Sequence, residues 1–155
     1  MIYLDYYSSP AGMIEVKATE NLIESVRFVT ECNSEKTSGN DLTRYIIQIL
    51  SEYFNHQPFC LDTEKLLING TEFQQKVWHE LLQIPYGITI TYGELAARIG
   101  HPKAVRAVGT AVGKNPFCIL IPCHRVLPAS GKTGQYAYGS EKKAYLLNLE
   151  SKPEL

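Results

Sequence analysis

The chain has 155 residues, of which 45% are hydrophobic and 20% are charged, and its formal net charge is −1. This is an ordinary globular composition that can bury a core. No apolar stretch approaches the roughly 18–20 residues that cross a bilayer, and the start lacks the basic region and long apolar core of a signal peptide. A membrane-spanning helix and an export signal are therefore not predicted, and a cytoplasmic location, or a nuclear one in a eukaryote, is expected.

The charge is unevenly distributed along the chain. Residues 1–70 carry 5 basic and 10 acidic residues, a net charge of −5. Residues 71–155 carry 10 basic and 6 acidic residues, a net charge of +4. A basic C-terminal half favours a polyanionic partner.

The first seventy residues have the pattern of a small sheet followed by one helix. Three short apolar segments separated by turn residues predict an antiparallel meander, namely Ile2–Tyr7, Met13–Ala18 and Leu22–Val29. The polar segment Glu31–Asn40 predicts a surface loop. Asp41 is a predicted N-cap, because apolar residues recur behind it at helical spacing: Leu42, Tyr45, Ile46, Ile49, Leu50 and Tyr53.

A mostly helical pattern begins at Thr71. Two pairs have the spacing of a capping box, Thr71 with Gln74 and Thr91 with Glu94, and each predicts the start of a helix. Pro102 is predicted at the first position of the next helix. The apolar side of that helix is Val105, Val108 and Val112, and the turn Gly100-His101 joins it to the preceding helix as a helix-turn-helix. Ser140 is predicted to cap a last helix, Glu141–Glu150, with Ala144, Leu146 and Leu147 available for the core.

The stretch with the clearest chemistry is Ile119–Val126, an apolar run that leads into Pro122, Cys123, His124 and Arg125. It predicts a buried, extended segment that Pro122 stiffens. The nucleophilic form of cysteine is the thiolate, and a neighbouring base or cation makes it reactive near neutral pH. His124 and Arg125 are the adjacent candidates. A structural cysteine beside a satisfied core histidine is the alternative that this stretch alone leaves open.

Five motifs in order make the chain resemble the O6-alkylguanine-DNA alkyltransferases. They are Thr71-x-Phe73-Gln74-x-x-Val77-Trp78, Thr91-Tyr92-Gly93-Glu94-Leu95-Ala96, Arg106-Ala-Val-Gly109, Lys114-Asn115-Pro116 and Ile121-Pro122-Cys123-His124-Arg125-Val126. The resemblance is dense over Thr71–Glu150 and looser before it. It implies an α/β (α+β) fold, with a ribonuclease-H-like domain in residues 1–70 and a mostly α, winged-helix-like domain for DNA binding and catalysis in residues 71–155.

The activity that the resemblance implies is DNA repair by direct, one-way transfer. An alkyl group moves from O6 of guanine, or O4 of thymine, to a cysteine, without a cofactor and once per protein molecule. Cys123 is then the nucleophile, and His124 acts on it through a water while Glu150 orients the histidine. Tyr92 donates to the base and presses on the phosphate of the flipped nucleotide. Asn115 braces the turn that carries the cysteine.

The resemblance also implies how alkylated double-stranded DNA is bound. The second helix of the helix-turn-helix enters the minor groove, and Arg106 fills the vacancy left by the flipped base. The expected DNA contacts are Thr91, Tyr92, Lys103, Ala104, Arg106, Lys114 and Arg125, and the expected substrate pocket is Val126, Gly134, Tyr136, Ala137 and Tyr138. A monomer with no membrane partner is expected.

Two features depart from the pattern of the family. Ala137 stands where some members have a serine that donates to the base, and Tyr138 stands where small residues occur, which predicts altered tolerance for bulky alkyl groups. Some members bind zinc in the N-terminal domain, but the candidates here do not match that pattern, and no metal is predicted. These candidates are Cys32, Cys60, His56 and His79.

Three other functions compete with this interpretation. A damage sensor of the alkyltransferase-like kind lacks the cysteine, whereas Cys123 is present. A Cys-His hydrolase leaves the helix-turn-helix and Arg106 unexplained. DNA-binding regulators of the family carry a further N-terminal domain with metal-binding cysteines, for which 155 residues leave no room.

Overall fold

The computed structural model describes residues 1–32 and 38–151. The chain divides into two compact units, one from Met1 to Ile68 and one that begins at Asn69. Part of the loop predicted over Glu31–Asn40, namely residues 33–37, lies outside the described residues. Within the described part of the chain, no helix is long and apolar enough to cross a membrane.

The first unit is a three-stranded antiparallel meander with one helix. Its strands are β1 (Tyr3–Ser9), β2 (Gly12–Ala18) and β3 (Ile23–Phe28), in the order β1-β2-β3, and its helix is α1 (Asp41–Phe54). Alternate residues of β2 are fully buried on one face of the sheet. The apolar stripe of α1 packs against the sheet, so the unit has its own core. The core includes Ile14, Val16, Ile46 and Leu50.

The predicted start of α1 is wrong by one residue. Asn40, not Asp41, is the N-cap: its side chain accepts a hydrogen bond from the Thr43 N–H at 3.0 Å, and the Thr43 hydroxyl accepts one from the Asn40 N–H at 2.8 Å. Asp41 is the first helical residue, where its carboxylate interacts favourably with the positive end of the helix dipole.

The second unit is mostly helical, as predicted. It contains α2 (Glu72–Leu81), α3 (Tyr92–Arg98), α4 (Val105–Gly113) and α5 (Ser140–Glu150). Two short parallel strands, β4 (Ile90–Thr91) and β5 (Val126–Leu127), join the region before α3 to the region after the cysteine. Thr71 caps α2 with the full capping box to Gln74, and Thr91 caps α3 by accepting from the Glu94 N–H. Helices α3 and α4 form the predicted helix-turn-helix, with Gly100 at a φ of 81° in the turn between them.

Four predicted details of these helices are wrong. Pro102 lies in the turn before α4, which begins at Val105 without a side-chain cap. Val105 is 40% exposed and does not join Val108 in the core, because it lies on the outer face of the first turn. Ser140 is the first residue of α5, and the cap position is Gly139, whose φ of 101° suits glycine. Ala144 is exposed, although Leu146 is buried.

The segment before the cysteine is buried, as predicted, but it is not extended. Residues 118–120 form consecutive turns, closed by hydrogen bonds from the Ile121 N–H to the Phe117 carbonyl at 3.0 Å and from the Leu120 N–H to the Cys118 carbonyl at 2.7 Å. Ile119 has a φ of 68° there, which is rare for a β-branched residue and costs about 1–3 kcal/mol. The fold class, a mixed α/β chain with small sheets, is the predicted one.

Candidate active site

Cys123 lies at the wall of a cavity of about 910 Å³ in the second unit. It begins a single 3₁₀ turn, Cys123–Arg125, directly before β5, and only 6% of its surface is exposed. Side chains from α3, α4 and the loop before α5 line the same cavity, among them Tyr92, Arg106, Tyr136 and Tyr138. The thiol is therefore reachable only by a group that enters this cavity.

Asn115 fixes the turns that precede Cys123. Its side-chain amide donates to the carbonyls of Phe117 at 3.2 Å and Ile121 at 2.7 Å, and its oxygen accepts from the Phe117 N–H at 2.9 Å. These bonds are buried and tie both ends of the strained turn at Ile119 to one side chain. The predicted bracing position of Asn115 is the one observed.

His124, Arg125 and Glu150 form a buried polar cluster. His124 Nε2 lies 2.6 Å from Glu150 Oε2, and the Arg125 guanidinium donates to both carboxylate oxygens, from Nε at 2.7 Å and from Nη2 at 3.1 Å. The Gly87 N–H donates to Oε1 at 3.2 Å, and Arg125 Nη1 donates to the Ile84 carbonyl at 2.7 Å. The carboxylate thus lies at the end of α5 among donors from two segments, the turn Cys123–Arg125 and the loop at Gly87.

This cluster sets the protonation of the histidine. Burial lowers the pKa of His124, the bond to Glu150 opposes this, and the charges of Arg125 and Lys143 lower the pKa further. Burial raises the pKa of Glu150, but the hydrogen bonds and charges of His124 and Arg125 outweigh it and hold that pKa well below its usual range. A neutral His124 donates from Nε2 to an ionised Glu150, which leaves Nδ1 as the basic atom. Nδ1 is buried and has no hydrogen-bond partner within the described residues.

The thiol of Cys123 is subject to opposing effects. Burial has the largest effect and raises the pKa of the Cys123 thiol, while Asn115, the charge of Lys143 and the neighbouring Tyr136 offset only part of that rise. The pKa of Tyr92 is raised, first by burial and then by Cys123, so its phenol keeps its proton at neutral pH and is a donor. Cys123 and Tyr92 line the same cavity, as their predicted roles require.

Arg125 was expected to meet phosphates, and the structure contradicts this. Its side chain is 9% exposed, its guanidinium is bonded to Glu150 and Ile84, and it lies 5.7 Å from the centre of the Tyr86 ring. The buried carboxylate at the end of α5 holds it inside. The other expected cations, Lys103, Arg106 and Lys114, are exposed.

Lys143 is a residue of the site that sequence reasoning missed. It is 1% exposed, and its ammonium donates to the carbonyls of Val126 at 2.7 Å and Gln135 at 3.1 Å. Lys143 precedes Leu146 by three residues and Glu150 by seven, so it lies on the same face of α5. That spacing is the sequence signal that places it inside.

The predicted substrate loop lines the cavity. Gly134, Tyr136, Ala137 and Tyr138 all face it, and the rings of the two tyrosines meet edge to face with centroids 5.5 Å apart. Gly134 has a φ of 76°, and a Cβ there would lie 2.7 Å from the Pro128 ring. Val126 is buried and does not line the cavity; its contribution is the carbonyl that binds Lys143.

The outer face of the helix-turn-helix carries the remaining predicted residues. Arg106 is exposed and lines the mouth of the cavity with Val105 and Gly109, while Thr91 also lines it from the start of α3. Lys103 and half-buried Ala104 lie just before α4, and Lys114 lies at its end. Among the described residues, no three His, Cys, Asp or Glu side chains are grouped to hold a metal ion.

Comparison with known proteins gives consistent matches. Residues 72–152 match the family model of the 6-O-methylguanine DNA methyltransferase, DNA binding domain. A methylated-DNA–protein-cysteine methyltransferase of Methanosarcina acetivorans is 41% identical over 154 residues, covering 96% of this chain and 98% of that protein. The one from Haemophilus influenzae is 39% identical, covering 98% and 88%. The crystal structure of Mycobacterium tuberculosis OGT in complex with DNA superposes with a TM-score of 0.85 at 37% identity, covering 96% of this chain and 92% of that one.

Proposed function

The chain belongs to the family of methylated-DNA–protein-cysteine methyltransferases, which repair alkylated DNA by direct transfer to a cysteine, and we propose that Cys123 is the residue that accepts the alkyl group here. The observation that carries this proposal is the pairing of a thiol at a cavity wall with a histidine whose one ring nitrogen is held by a carboxylate and whose other is free to take a proton. This is the nucleophile, base and orienting group of covalent catalysis.

The side chains of the site account for each proton and bond in the transfer. The thiol proton of Cys123 passes through a water to Nδ1 of His124, and Glu150 stabilises the imidazolium. The thiolate sulfur attacks the alkyl carbon, a C–S bond forms, and the bond from that carbon to O6 breaks. The electron pair stays on the guanine, which takes a proton that the Tyr92 phenol helps to supply. A thioether has no route back to a thiol, so each molecule reacts once.

The alkylated base reaches the cavity by flipping out of the duplex, which binds along α4. A base inside a duplex cannot contact a thiol buried in the cavity wall, so the alkylated nucleotide must leave the stack. Arg106 is exposed at the cavity mouth, where its side chain replaces the extruded base. The outer face of α4 is slim because of its alanines and glycines, which suits the narrow minor groove. Lys103 and Lys114 flank this face and contact phosphates, and the protein acts as a monomer.

The test is a single-turnover assay with duplex DNA that carries O6-methylguanine with a labelled methyl group. One label per protein on the peptide that contains Cys123, and none in Cys123→Ser, is the expected result. Cys60→Ser is the matched control, because Cys60 is an exposed free cysteine in the other unit and should leave transfer unchanged. Binding of the lesion without transfer, or repeated release of a small product, would contradict the proposal.

A further inference from the structure

One polar side chain stands on the outer face of α4 between the two ends of the helix. A stripe of four residues, spaced three and four apart, runs along this face: Arg106, Gly109, Thr110 and Gly113. All four line the cavity, whereas the opposite side of α4 is buried in the core. From residue 107 to residue 113, every residue other than Thr110 is alanine, valine or glycine. Thr110 is therefore the residue of this stretch whose side chain can form a hydrogen bond.

The hydroxyl of Thr110 is already used as a donor inside the helix. Its Oγ1 donates to the carbonyl of Arg106, one turn earlier in α4, at 3.2 Å. A hydroxyl has one hydrogen to donate and two lone pairs that accept. Thr110 is exposed, and within the described residues no donor bonds to its oxygen. The oxygen is therefore presented on the outer face of α4 as an acceptor and not as a donor.

An acceptor that enters the minor groove distinguishes a G·C pair from an A·T pair. The edges of the bases in that groove present acceptors at every pair, and the 2-amino group of guanine is the one donor among them. The Thr110 oxygen can bond to this amino group, but at an A·T pair it meets only other acceptors. Four residues of a helix span about 6 Å, and base pairs are stacked about 3.4 Å apart. With Arg106 at the position of the flipped nucleotide, Thr110 lies one or two base pairs away.

We infer that Thr110 is a specificity-determining residue for the alkyl transfer: its hydroxyl oxygen accepts a hydrogen bond from the 2-amino group of a guanine one or two base pairs from the lesion. This inference rests on the proposed function, in which α4 enters the minor groove. It predicts faster repair where a G·C pair occupies that position. The preference arises from one hydrogen bond between neutral groups, so it should be about fivefold.

The DNA for the test differs in the 2-amino group of one base. Each duplex carries one O6-methylguanine with a labelled methyl group between A·T pairs, and a single G·C pair is placed in turn at the two positions on each side, in both orientations. At the preferred position, inosine then replaces guanine, which deletes the 2-amino group and leaves the major-groove edge unchanged. In the converse duplex, 2,6-diaminopurine opposite thymine adds the same amino group to an A·T pair.

The protein variants separate the hydroxyl from the shape of the side chain. Thr110→Val replaces the hydroxyl with a methyl group at nearly the same volume, and Thr110→Ser keeps the hydroxyl. Thr30→Val is the matched control, because Thr30 is an exposed threonine of the first unit. Thr110 is exposed and lies outside the core, so its substitution should leave the fold intact.

The measurement is the single-turnover rate of methyl transfer at protein concentrations below saturation. The ratio of the rate on the guanine duplex to the rate on the inosine duplex should be about fivefold higher in the wild type than in Thr110→Val. The ratio for diaminopurine over adenine should show the same difference. Thr110→Ser and Thr30→Val should match the wild type. Effects of the substituted bases on the duplex itself are common to all the proteins and cancel in this comparison.

The same guanine-to-inosine ratio in the wild type and in Thr110→Val would overturn the inference, because any preference would then come from the DNA alone. Loss of the preference in Thr110→Ser would also overturn it, since the hydroxyl is retained there. Binding of the same duplexes to Cys123→Ser, followed by fluorescence anisotropy, tests Thr110 without any transfer. Absence of transfer by the wild type from every duplex would instead refute the proposed function.

Discussion

Replacing Glu150 with glutamine is expected to destabilise the second unit, because it leaves a buried guanidinium without a counter-charge. Glutamine has nearly the volume of glutamate, so the change removes charge and leaves packing intact. Glu150 is 5% exposed and Arg125 is 7% exposed, and two hydrogen bonds of 2.7 and 3.1 Å join them. Removal of one partner from a buried ion pair costs about 3–5 kcal/mol. Arg125 keeps the Ile84 carbonyl and the Tyr86 ring, which places the expected loss near the lower end, about 3 kcal/mol.

The assay is urea unfolding followed by tryptophan fluorescence. The chain has one tryptophan, Trp78, which is 2% exposed in α2, and its indole donates to the Ala111 carbonyl at 2.9 Å. The signal therefore reports the unit that contains the ion pair. A double-mutant cycle with Arg125→Met isolates the pair, because the double variant has no buried charge left uncompensated there. It should be more stable than the sum of the single changes predicts, by about 2 kcal/mol.

Additivity of the two changes within about 0.5 kcal/mol would refute this reasoning. It would mean that the guanidinium of Arg125 finds water or another acceptor when Glu150 is neutral. A loss of less than about 1 kcal/mol in Glu150→Gln alone would indicate that the pair behaves like an exposed one.

Three further outcomes are expected. The folded-state pKa of Glu150 lies below its usual value of 4.5. The stability that the ionised carboxylate contributes is therefore fully present above pH 4.5 and is lost as the pH falls toward the folded-state pKa. In urea unfolding, the stability difference between the wild type and Glu150→Gln should shrink between about pH 5 and pH 2. Tyr138→Gly should raise the ratio of the benzyl transfer rate to the methyl transfer rate by about tenfold, the effect of one contact in an apolar pocket. An unchanged ratio would contradict the idea that Tyr138 crowds the pocket. Arg106→Ala should slow transfer from duplex DNA about tenfold or more and transfer from free O6-methylguanine hardly at all, with Lys103→Ala as the control for loss of one surface charge; equal losses on both substrates would exclude a role in base flipping.

Local sequence patterns predicted where the helices and strands lie, but they predicted the first residue of each helix less accurately. The capping box at Thr71 was predicted and is observed, because both of its bonds lie within four residues. Asp41 and Ser140 were predicted caps that are instead first helical residues. Both residue types are favoured at either position, and only the backbone angles of the preceding residue decide between them. The predicted position of Pro102 was wrong for a related reason, because the fixed φ angle of proline suits a turn as well as a helix start.

The turns before the nucleophile could not be predicted from periodicity. An apolar run followed by proline is typical of an extended segment. The observed turns depend on Asn115, whose side chain binds carbonyls two and six residues later, and on a positive φ at Ile119. Such a conformation is unfavourable locally and persists because buried hydrogen bonds hold it.

The distribution of buried charge beside the nucleophile explains why His124 can act as a base. Arg125 neutralises Glu150, so the pair carries no net charge while His124 is neutral. When the thiol proton moves to His124, the group of His124, Arg125 and Glu150 becomes cationic, and Glu150 stabilises the imidazolium through the 2.6 Å hydrogen bond to Nε2. Without Arg125 the carboxylate would favour a charged histidine, which cannot act as the base.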